Sequence, residues 1–365
     1  MSPMNRRTFS KLSVLALAGT QLHALAQDSE AAARPVGFAA VGLGTISGIF
    51  MESSKSSKKA KITGLVTGHP QEKGPKFSAM YDVPSDAIYT YETYDRMRDN
   101  KAIDAVYIGL PNSMHCEYTV RAAEAGKHVL CEKPMAISSA ECRRMIDACR
   151  SANVRLMIAY RIHYDPLWLQ AKEILRSGGI GSIESIDGAF PGIQRAGAWR
   201  LDRALAGGGS VMDLGIYPLN SASFLLDEQP THFQAQVATI DHDGRFTQME
   251  ESIQWLMRYP SGVLATCASS YGQTGKNYLK VFGSDGMLEI SPAFNYDGLV
   301  LTGHTKTGSI NVAASQHMPY QFTLEADHMA DCIRNHSEPR TPGQMGLDDM
   351  LAIEAIYRAA GTPIA

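Results

Sequence analysis

The chain has 365 residues, a 44% apolar share, six cysteines and a formal net charge of −3. That length exceeds what one hydrophobic core serves, so two domains are expected, and the composition excludes disordered and fibrous classes. The weakly acidic balance argues against a nucleic-acid binder, which would carry a basic excess.

The cysteines at 116, 131, 142, 149, 267 and 332 include no C-x-x-C pair and no metal-ligand spacing. They read as buried thiols, with no disulfide scaffold and no metal site.

Residues 1–26 read as a removable leader. Arg6, Arg7 and Lys11 precede a moderately apolar run from Leu12 to Leu25, and Ala24-Leu25-Ala26 has the small-x-small form of a cleavage site. The run is too short and too weakly apolar to serve as an anchor, so no membrane attachment is expected after cleavage. Arg6-Arg7-Thr8-Phe9-Ser10-Lys11 resembles a twin-arginine signal. That implies export of an already folded protein to the periplasm by the twin-arginine translocation machinery. An ordinary secretory signal with a chance arginine pair is the alternative. Removing the leader's three positive charges takes the net charge from −3 to −6. Residues 27–35 then form a short polar arm.

From Val36 the pattern becomes regular. Short apolar strands at 36–41, 62–67, 105–110, 128–131 and 155–159 alternate with helical stretches, including 113–125 and 138–152. Ser138-Ser139-Ala140-Glu141 has the form of a capping box. Strands and helices in alternation predict an α/β fold whose first domain, 36–159, is a doubly wound parallel sheet. After Tyr160 longer alternating segments appear at 183–190, 232–240, 251–259, 263–270 and 278–282, separated by Asp243-Gly244, Ser261-Gly262 and Asp285-Gly286. These predict an α+β domain, 160–365, with a large, mostly antiparallel sheet covered on one face and open on the other. A broad open face in a soluble protein predicts a homo-oligomer.

Gly42-Leu43-Gly44-Thr45-Ile46-Ser47 follows the first strand and opens a helix, the setting in which glycines admit a pyrophosphate to a helix N-terminus. At the tip of the second strand, Thr67-Gly68-His69-Pro70-Gln71-Glu72-Lys73 offers no acid for a ribose 2′-hydroxyl. Thr67 and Lys73 would instead welcome a 2′-phosphate, so NADP is expected over NAD; Lys73 as a solvated helix residue is the plain alternative. Cys131-Glu132-Lys133-Pro134 stands at the carboxyl end of a strand, where open sheets bind ligands. Ala206-Gly207-Gly208-Gly209-Ser210 precedes Val211-Met212-Asp213-Leu214-Gly215-Ile216-Tyr217. Ser210 is expected to cap a helix on which Asp213 and Tyr217 share a face.

The segments 105–115 (AVYIGLPNSMH), 126–136 (GKHVLCEKPMA), 159–166 (AYRIHYDP), 199–220 (WRLDRALAGGGSVMDLGIYPLN) and 324–333 (LEADHMADCI) resemble the glucose–fructose oxidoreductase, inositol dehydrogenase and MocA family. Within it the chain looks most like the periplasmic glucose–fructose and aldose–aldose oxidoreductases. The resemblance, from about Gly37 to Ala359, implies Tyr217 as proton-transfer residue, Lys133 as the lysine beside it and Asp213 as the motif's carboxylate. It also implies a cofactor-lining loop at Leu110, Pro111, Asn112 and His115, with Glu132 beside it. Arg161, Trp199 and Arg200 would close over the nicotinamide and ribose or touch the sugar, and Tyr91 and Tyr296 would contact the cofactor. Lys133, Arg161, Asp213 and Tyr217 would meet the substrate.

Proton transfer from a sugar hydroxyl needs a base, and an ammonium at Lys133 would favour the phenolate of Tyr217. The periplasm offers no pool of free nucleotide, so a bound NADP(H) would have to be reoxidised in place. That predicts a ping-pong reaction in which one aldose becomes its lactone and a second sugar becomes an alditol. Only about ten residues, Gln27 to Val36, precede the first strand, and the chain stops at Ala365 without the longer tail of the glucose–fructose enzymes. Both shortenings favour a dimer and an aldose acceptor. An NAD-dependent glycosidase of the same superfamily and a non-catalytic sugar or nucleotide sensor are the rival readings. Retention of Lys133, Asp213 and Tyr217 together speaks against the sensor.

Overall fold

The run Val36–Val41 carries no polar side chain and is buried along its whole length, as a central strand covered on both faces must be. As β1 it pairs in parallel with β2 (Ala60–Val66) and β4 (Ala105–Ile108). β3 (Ile88–Tyr89), β5 (His128–Glu132) and β6 (Leu156–Ala159) complete a six-stranded sheet ordered β3-β2-β1-β4-β5-β6. The remaining pairings are parallel too. Strand order reverses beside β1, which opens a crevice at the carboxyl ends. This is a computed structural model that describes residues 34–364. The leader and nearly all of the polar arm lie outside the described residues.

Helices α1 (Thr45–Ser54), α2 (Pro70–Tyr81), α3 (His115–Glu124) and α4 (Ser139–Ser151) connect these strands. α4 starts as the sequence predicts: Ser138 Oγ accepts from Glu141 N at 3.3 Å. All six cysteines are free and buried.

α5 (Pro166–Arg176) starts at Asp165, whose Oδ1 accepts from the N–H groups of Leu167 and Trp168. The second sheet comprises β7 (Ile183–Pro191), β8 (His232–Ala238), β9 (Ser252–Arg258), β10 (Leu264–Ser270), β11 (Tyr278–Gly283), β12 (Gly286–Ile290), β13 (Val300–Thr305) and β14 (Gly308–Ala313). Its order is β14-β13-β12-β11-β7-β10-β9-β8, antiparallel except for the β7–β10 pair. Ile253, Trp255 and Met257 alternate inward along β9, while Gln254 and Arg258 face out. α5 and α6 (Ile216–Leu226) cover the inner face, where Leu175 and Leu225 meet Leu279, Val281, Leu288 and Ile290. Leu264 and Phe282 remain exposed on the strands.

The sequence reading differs from this fold in two respects. It missed β3 and β12–β14, because glycines at 286, 303 and 308 and polar residues such as His304 interrupt the alternation. It also placed everything after Tyr160 in one substrate domain. The last helices, α7 (Tyr320–Asn335) and α8 (Gly343–Ala359), instead return to the first sheet, packing on α1 and α4. Thr323 Oγ1 donates to Ser53 O at 3.1 Å, Lys59 pairs with Asp331 at 2.7 Å, and Ser139 N donates to Glu354 Oε1 at 2.7 Å. α8 also packs on β8, so it ties the two sheets together.

Candidate active site

The crevice of the first sheet and the inner edge of the second enclose one groove of about 1030 Å³. It begins at the glycine loop. Gly42 has φ +81°, and a Cβ there would lie 2.7 Å from Leu110 Cδ2, so only glycine fits the turn. Around Gly44 the space is open: a Cβ would meet nothing within 4 Å. Gly44 precedes α1 without a side-chain cap, which leaves the first-turn N–H groups and the positive helix end for an anion. Ser47 packs closely under Gly109, where a larger residue would collide with its hydroxyl.

At the β2 tip, Thr67 is buried and its Oγ1 accepts from His69 N at 3.1 Å. Lys73 reaches back from α2 to donate to Leu43 O at 3.2 Å, which sets its charge over the glycine loop. No carboxylate from this tip lines the groove. Gly68 lets the Tyr91 ring approach, at 3.1 Å from where a Cβ would stand. A dinucleotide cofactor fits these residues.

Farther along, Lys133 follows β5 and projects between the domains. Its Nζ donates to Asp213 O at 2.7 Å and to Asp213 Oδ1 at 3.3 Å, and lies 4.5 Å from the centroid of the Tyr217 ring. Arg200 Nε pairs with Asp213 Oδ2 at 2.7 Å, and its guanidinium stands 4.6 Å from the Trp199 ring. Burial pushes the Asp213 carboxyl up, but Lys133 and Arg200 outweigh it and hold the carboxyl below the ordinary range.

Arg161 stands 5.1 Å from the Tyr217 ring and 4.6 Å from that of Tyr296. It donates to Asn295 O at 3.0 Å, Gln321 Oε1 at 2.5 Å and Phe294 O. Gln321 in turn donates to Asp165 Oδ2 at 2.6 Å, so the cation is fixed through the cap of α5. Burial raises the Glu132 carboxyl, which accepts from Tyr107 Oη at 2.5 Å. Phe190 and Phe294 flank Tyr217, with ring centroids 5.5 and 5.6 Å away.

The groove brings together Gly42, Leu43, Gly44, Thr45, Ile46, Thr67, Gly68, Lys73, Tyr91, Leu110, Pro111, Asn112, Glu132, Lys133, Arg161, Trp199, Arg200, Asp213, Tyr217 and Tyr296. His115 is the exception. It is fully buried behind the groove, its ring nitrogens at 2.9 Å from the carbonyls of Pro134 and Leu110, where it joins two loops instead of lining the cofactor path. Ser210 also departs from expectation: it has helical dihedrals and caps nothing, because its hydroxyl pairs with Ser269 Oγ at 2.9 Å. Asp213 therefore lies not on a regular helix but on a π-helical turn, Val211–Gly215, ahead of α6. Such turns recur at functional sites.

Sequence reasoning passed over Gly109, Phe190, Gln194, Leu214, Phe294 and Asn295, which also line the groove. Gly109 was legible in the Ile108-Gly109-Leu110 segment at a strand end. Phe190 and Phe294 carry no local signal, since only the fold of the second sheet brings them to Tyr217. Among the described residues, no group of three or more His, Cys, Asp or Glu could hold a metal.

A glycine cradle on a Rossmann sheet, facing a lysine, a carboxylate and a tyrosine from a second sheet, defines a dinucleotide-dependent oxidoreductase. The chain belongs to the GFO/IDH/MocA family. Residues 36–160 match the family model of the oxidoreductases with an NAD-binding Rossmann fold, and residues 168–289 match the GFO/IDH/MocA C-terminal domain. The aldose–aldose oxidoreductase of Caulobacter crescentus is similar in structure, with a TM-score of 0.86 and 38% identity over 90% of this chain and 98% of that one. The D-xylose 1-dehydrogenase [NADP(+)] of Haloarcula marismortui is 32% identical over 92% of this chain and 94% of its own. The 1,5-anhydro-D-fructose reductase of Ensifer adhaerens is 28% identical over 71% and 78%.

Proposed function

We propose that the protein is a periplasmic sugar oxidoreductase that retains NADP(H), oxidises an aldose to its lactone and then reduces a second sugar to an alditol. The observation that carries this reading is the Lys133–Asp213–Tyr217 cluster on the groove that starts at the glycine cradle. The likeness to an aldose–aldose oxidoreductase and to sugar dehydrogenases supports the substrate class. The leader with Arg6-Arg7 supports export through the twin-arginine machinery.

Gly42 to Thr45 and the start of α1 would hold the pyrophosphate, and Thr67 and Lys73 the 2′-phosphate. When bound, NADP supplies the hydride acceptor and, once reduced, the hydride donor. Tyr217 takes the proton of the C1 hydroxyl as the aldose loses its C1 hydrogen as hydride, which leaves the lactone. The same phenol returns that proton to the acceptor sugar as its carbonyl takes hydride, so the double reaction releases no proton. Lys133 and Arg161 face the negative charge that the Tyr217 oxygen carries before it takes the first proton and again after it gives that proton back. Asp213, ionised between Lys133 and Arg200, orients both cations. Phe190, Phe294 and Trp199 offer flat apolar walls to a sugar ring.

The open face of the second sheet, with Leu264 and Phe282 exposed, supports a homodimer; light scattering would give the subunit number. The decisive test purifies the protein without added nucleotide, identifies the nucleotide released on denaturation, and mixes the native protein with two sugars. NADP and equal amounts of lactone and alditol are expected. Absence of both sugar products would sink the proposal.

A further inference from the structure

The glycine run before the reacting turn makes room for specific groups. Gly207 has φ +81°, and a Cβ there would lie 2.6 Å from Ile137 Cβ. At Gly208 a Cβ would stand 2.8 Å from the Tyr357 hydroxyl, and at Gly209 it would collide with the carboxylate of Glu250. Tyr357, on α8, donates to Glu250 Oε1 at 2.9 Å, and its hydroxyl accepts from Gly209 N at 2.7 Å. The N–H groups of Ser210 and Val211 also face this carboxylate. Both side chains are buried, Glu250 at 9% exposure and Tyr357 at 2%. With Ser210 committed to Ser269, an acid from the loop before β9 occupies the place of a cap on the turn that bears Asp213.

We propose that Glu250 is a positioning residue for the reaction: clamped by Tyr357, its carboxylate fixes the start of the π-helical turn and so holds Asp213 and Tyr217 against Lys133. The inference rests on Tyr217 being the proton-transfer group. Glu250 lines no part of the cofactor groove; it borders a separate cavity of about 300 Å³ together with Arg203 and Gln248. It therefore acts only through the turn. A reacting group displaced by ~1 Å can lose roughly 10²-fold in rate, so a loosened turn is read in kcat.

The test compares full-length wild type with Glu250→Ala, Glu250→Gln and Tyr357→Phe. Hydrogen exchange of backbone amides 209–217 should accelerate about tenfold in Glu250→Ala, with the β1–α1 region unchanged. In the same variant kcat should fall about tenfold or more, while KM for the sugar and the bound nucleotide stay at wild-type values. Glu250→Gln, which keeps an acceptor oxygen, should recover most of that loss. Unchanged exchange and unchanged kcat in Glu250→Ala would overturn the proposal. So would a rise in KM that accounts for the whole effect. Should Glu250→Ala fail to fold, Tyr357→Phe keeps the packing and carries the same two readouts. A wild type inactive with every sugar pair would defeat the reading of function, while the exchange result would still decide the positioning role.

Discussion

Tyr217 works, on this reading, because charge surrounds it. Lys133 and Arg161 lie 4.5 and 5.1 Å from its ring, and neither can relax away, since Lys133 is tied to Asp213 and Arg161 to three acceptors. Replacing Tyr217 by Phe removes the transferable proton and leaves the ring packing with Phe190 and Phe294. Turnover should fall by about 10²-fold or more with the nucleotide retained, measured as product formation and as nucleotide released on denaturation. Asp213 keeps its charge across the working range. Its carboxyl is held below the ordinary value, so its ion pairs persist above that value and are lost only as pH falls through the lower one. Any loss of activity between pH 5 and 8 must then come from another group. At the other end of the groove, Lys73 is the cation that, under the proposed function, would favour NADP over NAD. Lys73→Ala should weaken NADP binding about tenfold, equivalent to ~1.4 kcal/mol, and leave NAD binding unchanged, as titration of the stripped protein would read.

At the scale of elements, the reacting residues stand on strand ends, on one irregular turn and on the first turn of the helix α6 that follows it. The strand ends were legible. Val36–Val41, the glycine loop and the lysine after β5 follow from apolar runs and from glycines at a strand-to-helix junction, which local chemistry alone dictates. The turn was not. Ser210 ahead of an apolar run has the local form of a cap, but a partner on β10 takes its hydroxyl, and no local pattern announces that pairing. A similar reason hid His115 behind the groove: one of its carbonyl partners, Leu110, is local, but the other, Pro134, comes from the loop after β5, and no local pattern announces that the ring is taken up between them.

Gly215 ends the π-helical turn in a tight place, where a Cβ would stand 2.8 Å from Ser269 Oγ, 2.9 Å from Val211 and 3.0 Å from Trp255. Gly215→Ala should cost about 1–3 kcal/mol by overpacking, seen as a lower denaturation midpoint. It should lower kcat as well, because the turn that yields is the one that carries Asp213.

Over the whole molecule, two sheets share a groove that neither could form alone, and α8 fastens one to the other. The two-sheet plan could be read from the change of period after Tyr160, whereas the return of α7 and α8 to the first sheet could not, since an amphipathic helix does not state which apolar surface it will cover. This joint interior holds several ionisable groups without full compensation. Burial raises the carboxyls of Glu250 and Asp349 to about 7 and lifts Glu325 well above its ordinary value, and neither oxygen of Glu325 has a hydrogen-bond partner.

Each of these acids is protonated in the fold at a pH where the unfolded chain has already released the proton. Folding then takes up protons, and stability falls as pH rises from the ordinary carboxyl range through the raised values. Buried histidines act in the opposite sense at lower pH. Burial holds His128 and His163 neutral, with values near 4, so the unfolded chain binds more protons between there and about 6.5, and stability rises with pH over that window. Between about pH 5 and 6 the two histidines offset most, but not all, of the slope of the three carboxyls. Above about pH 6.5 only the carboxyl slope remains, so thermal stability should decline more steeply there, by roughly 2–4 kcal/mol toward pH 8, a shift of about 3–5 °C. Asp349→Asn should flatten that decline, because the neutral amide keeps the contact with Asn220 Nδ2, now 2.8 Å from Oδ2, without a proton to lose. Melting curves at half-unit pH intervals read both effects. A midpoint that climbs steadily to pH 8 would mean that these carboxyls are ionised inside the fold.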